Sequence, residues 1–335
     1  MSAINKNNTL CVIFSKDRPM QLDATLSSLV LHCEDIDNLI INVLYKATSN
    51  KLKQQYKQLI SYYKDVVFTE EIEFQNDLLN IIYSFSYSKN SKKIPIAKSL
   101  NKLIILIKKQ KSKIIRHFYV KLLFPAVRFF SPIPKKTKYI LFCVDDNIFV
   151  NKFSISEIVN SLHKTTKAIA FSLRLGKNTK YCYMHNTHQA LPEFQSINNR
   201  ISQFNWVHSQ LDFNYPLEIS SSVYRMENLL PLLNAIAFIN PNSLEGEIAS
   251  RKKYFSKALP TLLVFNTSVA FCNPVNIVQK TAPKNRRGEK SAYSADELSN
   301  LFERNMRINV ANFSGLITNA CHQEMDLHFS KLEAE

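Results

Sequence analysis

The stretch with the clearest chemical potential is Ile140 to Val150, which reads Ile-Leu-Phe-Cys-Val-Asp-Asp-Asn-Ile-Phe-Val. An apolar run leads straight into two carboxylates and an amide, and apolar character then resumes. A short continuous apolar run is the pattern of a strand buried on both faces. Asp145 and Asp146 then fall at its carboxyl edge, which is where open α/β sheets bind ligands. Adjacent carboxylates in such a place repel each other unless a cation or hydrogen bonds hold them. Hard divalent cations take oxygen ligands of this kind. The chemistry suggested is a metal and nucleotide site. The alternative is a strand ending in a polar turn, since Asp-Asp-Asn is also ordinary turn chemistry.

Other polar and charged groups interrupt the apolar runs. Ser15-Lys16-Asp17-Arg18 follows a first apolar run, Thr9 to Ser15. Pro19 suits a first helical turn, with Asp17 near the N-cap. Arg174 and Lys177 flank Gly176 in a basic loop after another apolar run, Ala168 to Ser172. Glu245 and Glu247 open a helix after Asn240-Pro241-Asn242-Ser243, with Asn242 or Ser243 as its cap. Acids in a first helical turn complement the helix dipole. His322 lies in the tail, where an ordinary surface histidine is the plain alternative.

The elements that must position these residues alternate. The sequence predicts strands over 9–15, 39–45 and 66–68 and helices from 19 and over 51–63. A helix over 154–164, the 168–172 strand, a helix over 226–237 and strands at 261–265 and 268–272 follow. A final helix covers 295–302. Alternating strands and helices argue for an α/β fold, a mostly parallel sheet with helices on both faces. Residues 179–205 lack clear periodicity, and 280–290 reads as a basic, mobile loop without an apolar anchor.

Composition narrows the options. Four glycines in 335 residues, with no GxGxxG or Walker A pattern, argue against glycine-rich phosphate loops. Six scattered cysteines without a CxxC pair read as buried small hydrophobes in a reducing compartment. No apolar h-region opens the chain and no long apolar run crosses it, so neither a signal peptide nor a membrane span is expected. The net charge of +16 is concentrated. Between Asp77 and Asp145 lie 15 Lys and Arg and no acid; the rest carries 28 basic and 27 acidic residues. Apolar residues from Leu100 to Leu123 recur there at helical spacing with basic residues between. Such a segment, about 89–138, could lie on an anionic membrane surface or pack as a helical insertion. Nucleic acid is not the expected partner, because no recognition motif or wider basic stripe accompanies the charge.

The ordered set of Ser-Lys-Asp-Arg-Pro after the first strand, Val-Asp-Asp-Asn at 144–147, Phe-Ser-Leu-Arg-Leu-Gly-Lys-Asn at 171–178, Pro-Asn-Ser-Leu-Glu at 241–245 and His-Gln-Glu at 322–324 resembles bacterial GT-A type glycosyltransferases, close to glycosyltransferase family 2. The resemblance covers roughly residues 9 to 325, without a match for 78–135. It implies a GT-A (Rossmann-like) domain over 9–285, interrupted by a basic helical insertion at about 78–135 and followed by a C-terminal extension over 286–335. It implies transfer of a sugar from a nucleoside-diphosphate sugar to a glycan or lipid-linked acceptor. Synthesis of cell-surface polysaccharide or lipopolysaccharide, in the cytoplasm and peripheral to the inner membrane face, would be the setting.

By the same resemblance, Ser15, Lys16, Asp17, Arg18 and Lys46 contact the nucleotide and Asp145 meets its ribose or base side. Asp146, with Asn147 and His322, holds Mn or Mg. Arg174 and Lys177 add cationic contacts to the diphosphate, and Glu245 is the base, with Glu247 as alternative. The sequence departs from the pattern at two places. Asn147 stands where a fuller acidic motif has Asp, and Ser220-Ser221 stands where an Asp-Gly pair is expected. Those departures motivate the alternative of a non-catalytic GT-A-like module that binds a nucleotide or glycan at a membrane assembly.

Overall fold

The computed structural model describes residues 9–86, 138–279 and 286–332. Strands β1 (Thr9–Lys16), β2 (Leu39–Lys46), β3 (Val67–Glu70) and β4 (Tyr139–Val144) run parallel. β5 (Asn147–Phe149) leaves the sheet, and β6 (Ala168–Ser172) returns to it. β7 (Tyr181–Cys182) and β8 (Thr187–His188) form a small hairpin. β9 (Gln195–Ser196), β10 (Ile201–Asn205), β11 (Ser222–Arg225) and β12 (Thr261–Phe265) complete a nine-stranded sheet of order β3-β2-β1-β4-β11-β6-β12-β10-β9. β11 is antiparallel to both neighbours, and β10 is antiparallel to β12. β13 (Ala270–Cys272) pairs with β5, and β14 (Met306–Ile308) with β15 (Phe329–Lys331).

Helices cover both faces, as the alternating pattern predicted. Successive strand side chains point to opposite faces. Cys11 and Ile13 of β1 therefore join one core, with α1 (Pro19–His32), α4 (Ile155–Lys164) and α7 (Ala295–Glu303). Leu10, Val12 and Phe14 join the other, with α3 (Phe74–Ser86), α5 (Met226–Ala235) and α6 (Pro241–Ala249). Helix α2 (Asn50–Tyr62) buries Tyr56 and Leu59 on the first face.

The segment after 286 packs on the same core. Leu298 and Phe302 belong to its first cluster, Gln55 bonds reciprocally with Ser299, and Arg307 lies 3.6 Å from Asp23. Of the expected helical insertion, α3 is seen. Residues 87–137, and with them nearly all of the proposed membrane segment, lie outside the described residues. Among the described residues no helix is long and apolar enough to cross a membrane.

Several boundaries differ from the sequence reading. Asp17 does not cap α1. It sits at φ 55°, and its carboxylate accepts from the Thr48 N–H at 2.7 Å and hydroxyl at 3.0 Å, tying the β1–α1 loop to the β2–α2 loop. The cap of α6 is Asn240, in a capping box with Ser243, so the helix starts at Pro241. Within the aperiodic region lies β10, whose Ile201 and Phe204 are buried on opposite faces. Burial on both faces removes the alternation that would have marked it. Of the expected mobile loop over 280–290, residues 280–285 lie outside the described residues, and 286–290 are anchored: the Gly288 N–H donates to Pro274 O at 2.8 Å, and Lys290 pairs with Asp326.

Candidate active site

The carboxyl ends of β1, β2 and β4 open into a cavity of about 530 Å³. The register places Phe14 opposite Val144, so Ser15 and Lys16 emerge beside Asp145. The Asp145 N–H continues the ladder to Phe14 O at 3.1 Å. Its carboxylate accepts from the Lys16 N–H at 3.2 Å and forms an ion pair with Arg18. Arg18 also reaches Asp146 Oδ2 at 3.6 Å. Burial pushes Asp145 up to about 6, against the pull of Arg18 and with the help of Asp146. Asp146 is also raised by burial, again opposed by Arg18. On Arg18, burial acts against the charge, but Asp145 and Asp146 outweigh it and hold the guanidinium above its ordinary value.

Asp146 and Asn147 are adjacent in sequence and part company in space. Asp146 lines the cavity, and its Oδ1 is buried without a hydrogen-bond partner. Asn147 is fully buried and does not line it. Its Oδ1 accepts from the Val144 N–H at 2.8 Å and its amide points to Cys272 Sγ at 3.3 Å, so it closes the turn between β4 and β5. The amide expected to ligate a metal thus serves the backbone, because a tight turn leaves the Val144 N–H needing an acceptor.

The nucleotide-side residues divide similarly. Ser15, Lys16, Arg18 and Lys46 line the cavity; Asp17 does not. Ser15 shares a 2.6 Å hydrogen bond with the buried Tyr56 hydroxyl, itself stacked on Tyr45. Lys46 pairs with Glu71 at 3.0 Å, which sets a donor beside an acceptor at this end.

Arg174 and Lys177 also separate. Gly176 lets their loop press against Ser268: an added Cβ would meet Asn178 Oδ1 at 2.5 Å and the Ser268 nitrogen at 2.7 Å. Arg174 then turns into the cavity, 5% exposed, and its Nη2 lies 3.6 Å from Glu218 Oε2. Lys177 is exposed outside the lining, over the Phe194 ring at 5.9 Å. It does not line the cavity where the diphosphate contact was expected.

Glu245 lines the cavity from the second turn of α6, which has no acid in its first turn, so the dipole account does not apply to it. Burial raises Glu245 to about 7, with Arg174 lowering it and Glu218 raising it. Glu247 faces away, to Arg251 at 2.6 Å. His322 reaches the cavity because the tail pairs with Cys272 through the Cys272 N–H to Cys321 O, 2.9 Å, and the Gln323 N–H to Cys272 O, 3.0 Å. Burial, then Arg174, pushes His322 down to about 3, so its imidazole is neutral and stacks on Tyr183.

Three lining or supporting groups escaped the sequence reading. Glu218 is buried behind Arg174. Arg286 and Arg287 are exposed on the rim; Arg286 lies 4.4 Å over the Tyr183 ring and donates to Asn186 Oδ1 at 2.7 Å. Only their type was visible in sequence: an acid in an apolar stretch and an Arg pair in a polar one. The strained position at Ser221, φ 86°, was marked by the expected Asp-Gly pair, since a left-handed backbone favours glycine.

No protein-family model matches the chain. It is 23% identical over 245 residues to the bifunctional glycosyltransferase pgtA of Dictyostelium discoideum, covering 69% of this chain and 26% of that protein. The chain therefore spans about a quarter of the length of this curated relative. Similar solved structures include S. aureus TarS 1-349 in complex with UDP-GlcNAc, at 12% identity, 77% of this chain, 55% of that chain and a TM-score of 0.39. Another is the mannosyltransferase PcManGT from Pyrobaculum calidifontis in complex with GDP-Man and Mn2+, at 10% identity, 68% and 47% coverage and a TM-score of 0.31.

Proposed function

We propose that this chain is a glycosyltransferase that moves a sugar from a nucleoside-diphosphate sugar to a hydroxyl of a glycan or lipid-linked acceptor. The observation that carries the reading is one cavity lined by Asp145, Asp146 and Arg18 at the strand ends and by Glu245 from α6. Similarity to a glycosyltransferase over 69% of this chain supports it.

Lys46 and Glu71 offer a donor and an acceptor to the edge of a base. Arg286 and Arg287 offer cations to the diphosphate, and charge-assisted contacts of this kind are the strong ones. Glu245, raised toward neutrality, takes the proton of the acceptor hydroxyl. The hydroxyl oxygen bonds to the anomeric carbon as the bond from that carbon to the phosphate oxygen breaks. The diphosphate leaves with the electron pair.

The fit of a divalent cation can be judged from the donors. Among the described residues no group of three or more His, Cys, Asp or Glu is placed to hold a metal. Asp146 nevertheless has a buried oxygen without a partner, and the neutral His322 lines the same cavity. Two protein ligands with phosphate oxygens suit Mg or Mn. Asp146 and His322 would hold the ion, and when bound it supplies positive charge to the departing diphosphate.

The test is a thermal-shift screen of UDP- and GDP-sugars with and without Mn, followed by a transfer assay. A ligand at a hundred times its Kd stabilises by about 2.7 kcal/mol. Asp146→Ala should remove the Mn-dependent part. If no nucleotide sugar binds, the reading is wrong. Binding without transfer to any acceptor would favour the non-catalytic module.

A further inference from the structure

Glu218 lies behind the cavity wall, 2% exposed, in a loop fixed by Tyr224. The Glu218 N–H donates to the Tyr224 hydroxyl at 2.9 Å, and that hydroxyl lies 2.7 Å from Glu218 O and 3.1 Å from Pro216 O. The Ser220 N–H bonds Glu218 Oε2, and Ile219 and Ser220 line the same cavity as Glu245. Arg174 lies 3.6 Å from Glu218 Oε2 and shares the cavity lining with Glu245. Two buried atoms of this pair, Arg174 Nε and Glu218 Oε1, have no hydrogen-bond partner. A buried ion pair with unmet valences is a poor stabiliser, and orienting a neighbouring group is a use such a pair can have.

We propose that Glu218 is a positioning residue: it anchors Arg174 at the cavity wall, and the anchored pair sets the charge environment of Glu245 on the same lining. This rests on the reading of Glu245 as the base. Glu218 itself touches no substrate, since it lies outside the cavity lining. The charged and titratable groups that act on Glu245 are Arg174, Glu218, Asp146 and Tyr215. Of these, Glu218 is the one whose removal changes Glu245 without removing a cavity wall.

The experiment is a pair of titrations on the full chain. Carbon-13 NMR of the Glu245 carboxyl, assigned by its loss in Glu245→Gln, is followed against pH in wild type, Glu218→Gln and Glu218→Asp. Glu218→Gln keeps an acceptor for the Ser220 N–H and removes the charge. The Glu245 midpoint, near pH 7 in wild type, should move to lower pH by half a unit or more, about threefold in ionisation equilibrium. Glu218→Asp should restore it. The pH–rate profile of transfer should move in parallel, with kcat down roughly tenfold or more and donor KM unchanged within about twofold. Arg174→Lys, which keeps the charge and loses the fork, is the second variant. It should lower kcat while leaving the midpoint closer to wild type. An unmoved midpoint in folded Glu218→Gln would overturn the proposal, whatever happens to activity. If the midpoint moves and no transfer is found in wild type, the linkage stands and the transferase reading fails.

Discussion

Arg18 spans the two acids at the end of β4: its guanidinium is paired with Asp145 and lies 3.6 Å from Asp146 Oδ2. One arginine from the first loop thus neutralises carboxylates more than 120 residues later in the chain, and holds the loop over the strand ends.

Replacing Arg18 with Ala leaves a buried carboxylate pair uncompensated. Breaking such a pair costs roughly 3–5 kcal/mol. The loss depends on pH. Asp145 has a folded value of about 6, above its unfolded value near 3.8, so the folded state binds more protons in that window. Its contribution to stability is therefore greatest at low pH and falls as pH rises from about 4 to 6. Urea unfolding of Arg18→Ala should show a large deficit at pH 8 and a small one at pH 4.5.

Glu245→Gln should lose most of its activity and be more stable than wild type at pH 8. The folded value of about 7 lies above the unfolded one, so ionising Glu245 costs stability as pH rises toward 7. Glutamine has no charge to bury, and a gain on the order of 2 kcal/mol at pH 8, absent at pH 4.5, is expected from that linkage. Transfer should fall by about 10²–10⁴-fold, the usual contribution of a general base. The wild-type rate should rise with pH and level off above about 7.

Arg287→Ala should raise the donor KM about tenfold and leave kcat within about twofold, because a rim cation binds ground state and transition state alike. Added salt should weaken wild-type donor binding more than that of the variant. Equal KM values in a salt series would remove Arg287 from the diphosphate site.

Asp35→Ala should destabilise without touching catalysis. Asp35 accepts from the Ile155 N–H at 2.7 Å, the Ser156 N–H at 2.9 Å and the Ser154 hydroxyl at 3.0 Å, so it closes the start of α4. Burial would raise its carboxyl, but these bonds outweigh it and hold it below its ordinary value. Its stabilisation is present above the unfolded value and is lost as pH falls through the folded one. The variant should lose about 1–2 kcal/mol at pH 7, as for a lost cap, with kcat unchanged.

What the sequence determined by itself is what depends on neighbours in the chain. The runs Thr9 to Ser15 and Ile140 to Val144 declare buried strands because a strand covered on both faces needs apolar side chains at every position. Ser154 before Ile155 marks a helix start because its hydroxyl meets the Glu157 N–H three residues on. Asp145 and Asp146 stand out because acids at the end of a buried strand need a reason.

Tertiary structure alone decided which of these residues meet. Asn147 is held by a bond within its own turn, from the Val144 N–H three residues back, but Asp146 meets Arg18 only through the pairing of β1 with β4. Arg174 and Lys177 look alike three residues apart, yet Gly176 against Ser268 sends one inward and leaves the other outside. Glu218 beside Arg174, and His322 brought in by Cys272, are pairings across 44 and 50 residues. Periodicity and caps are set within a few residues, whereas a site is set by loop closures that only the packed sheet fixes.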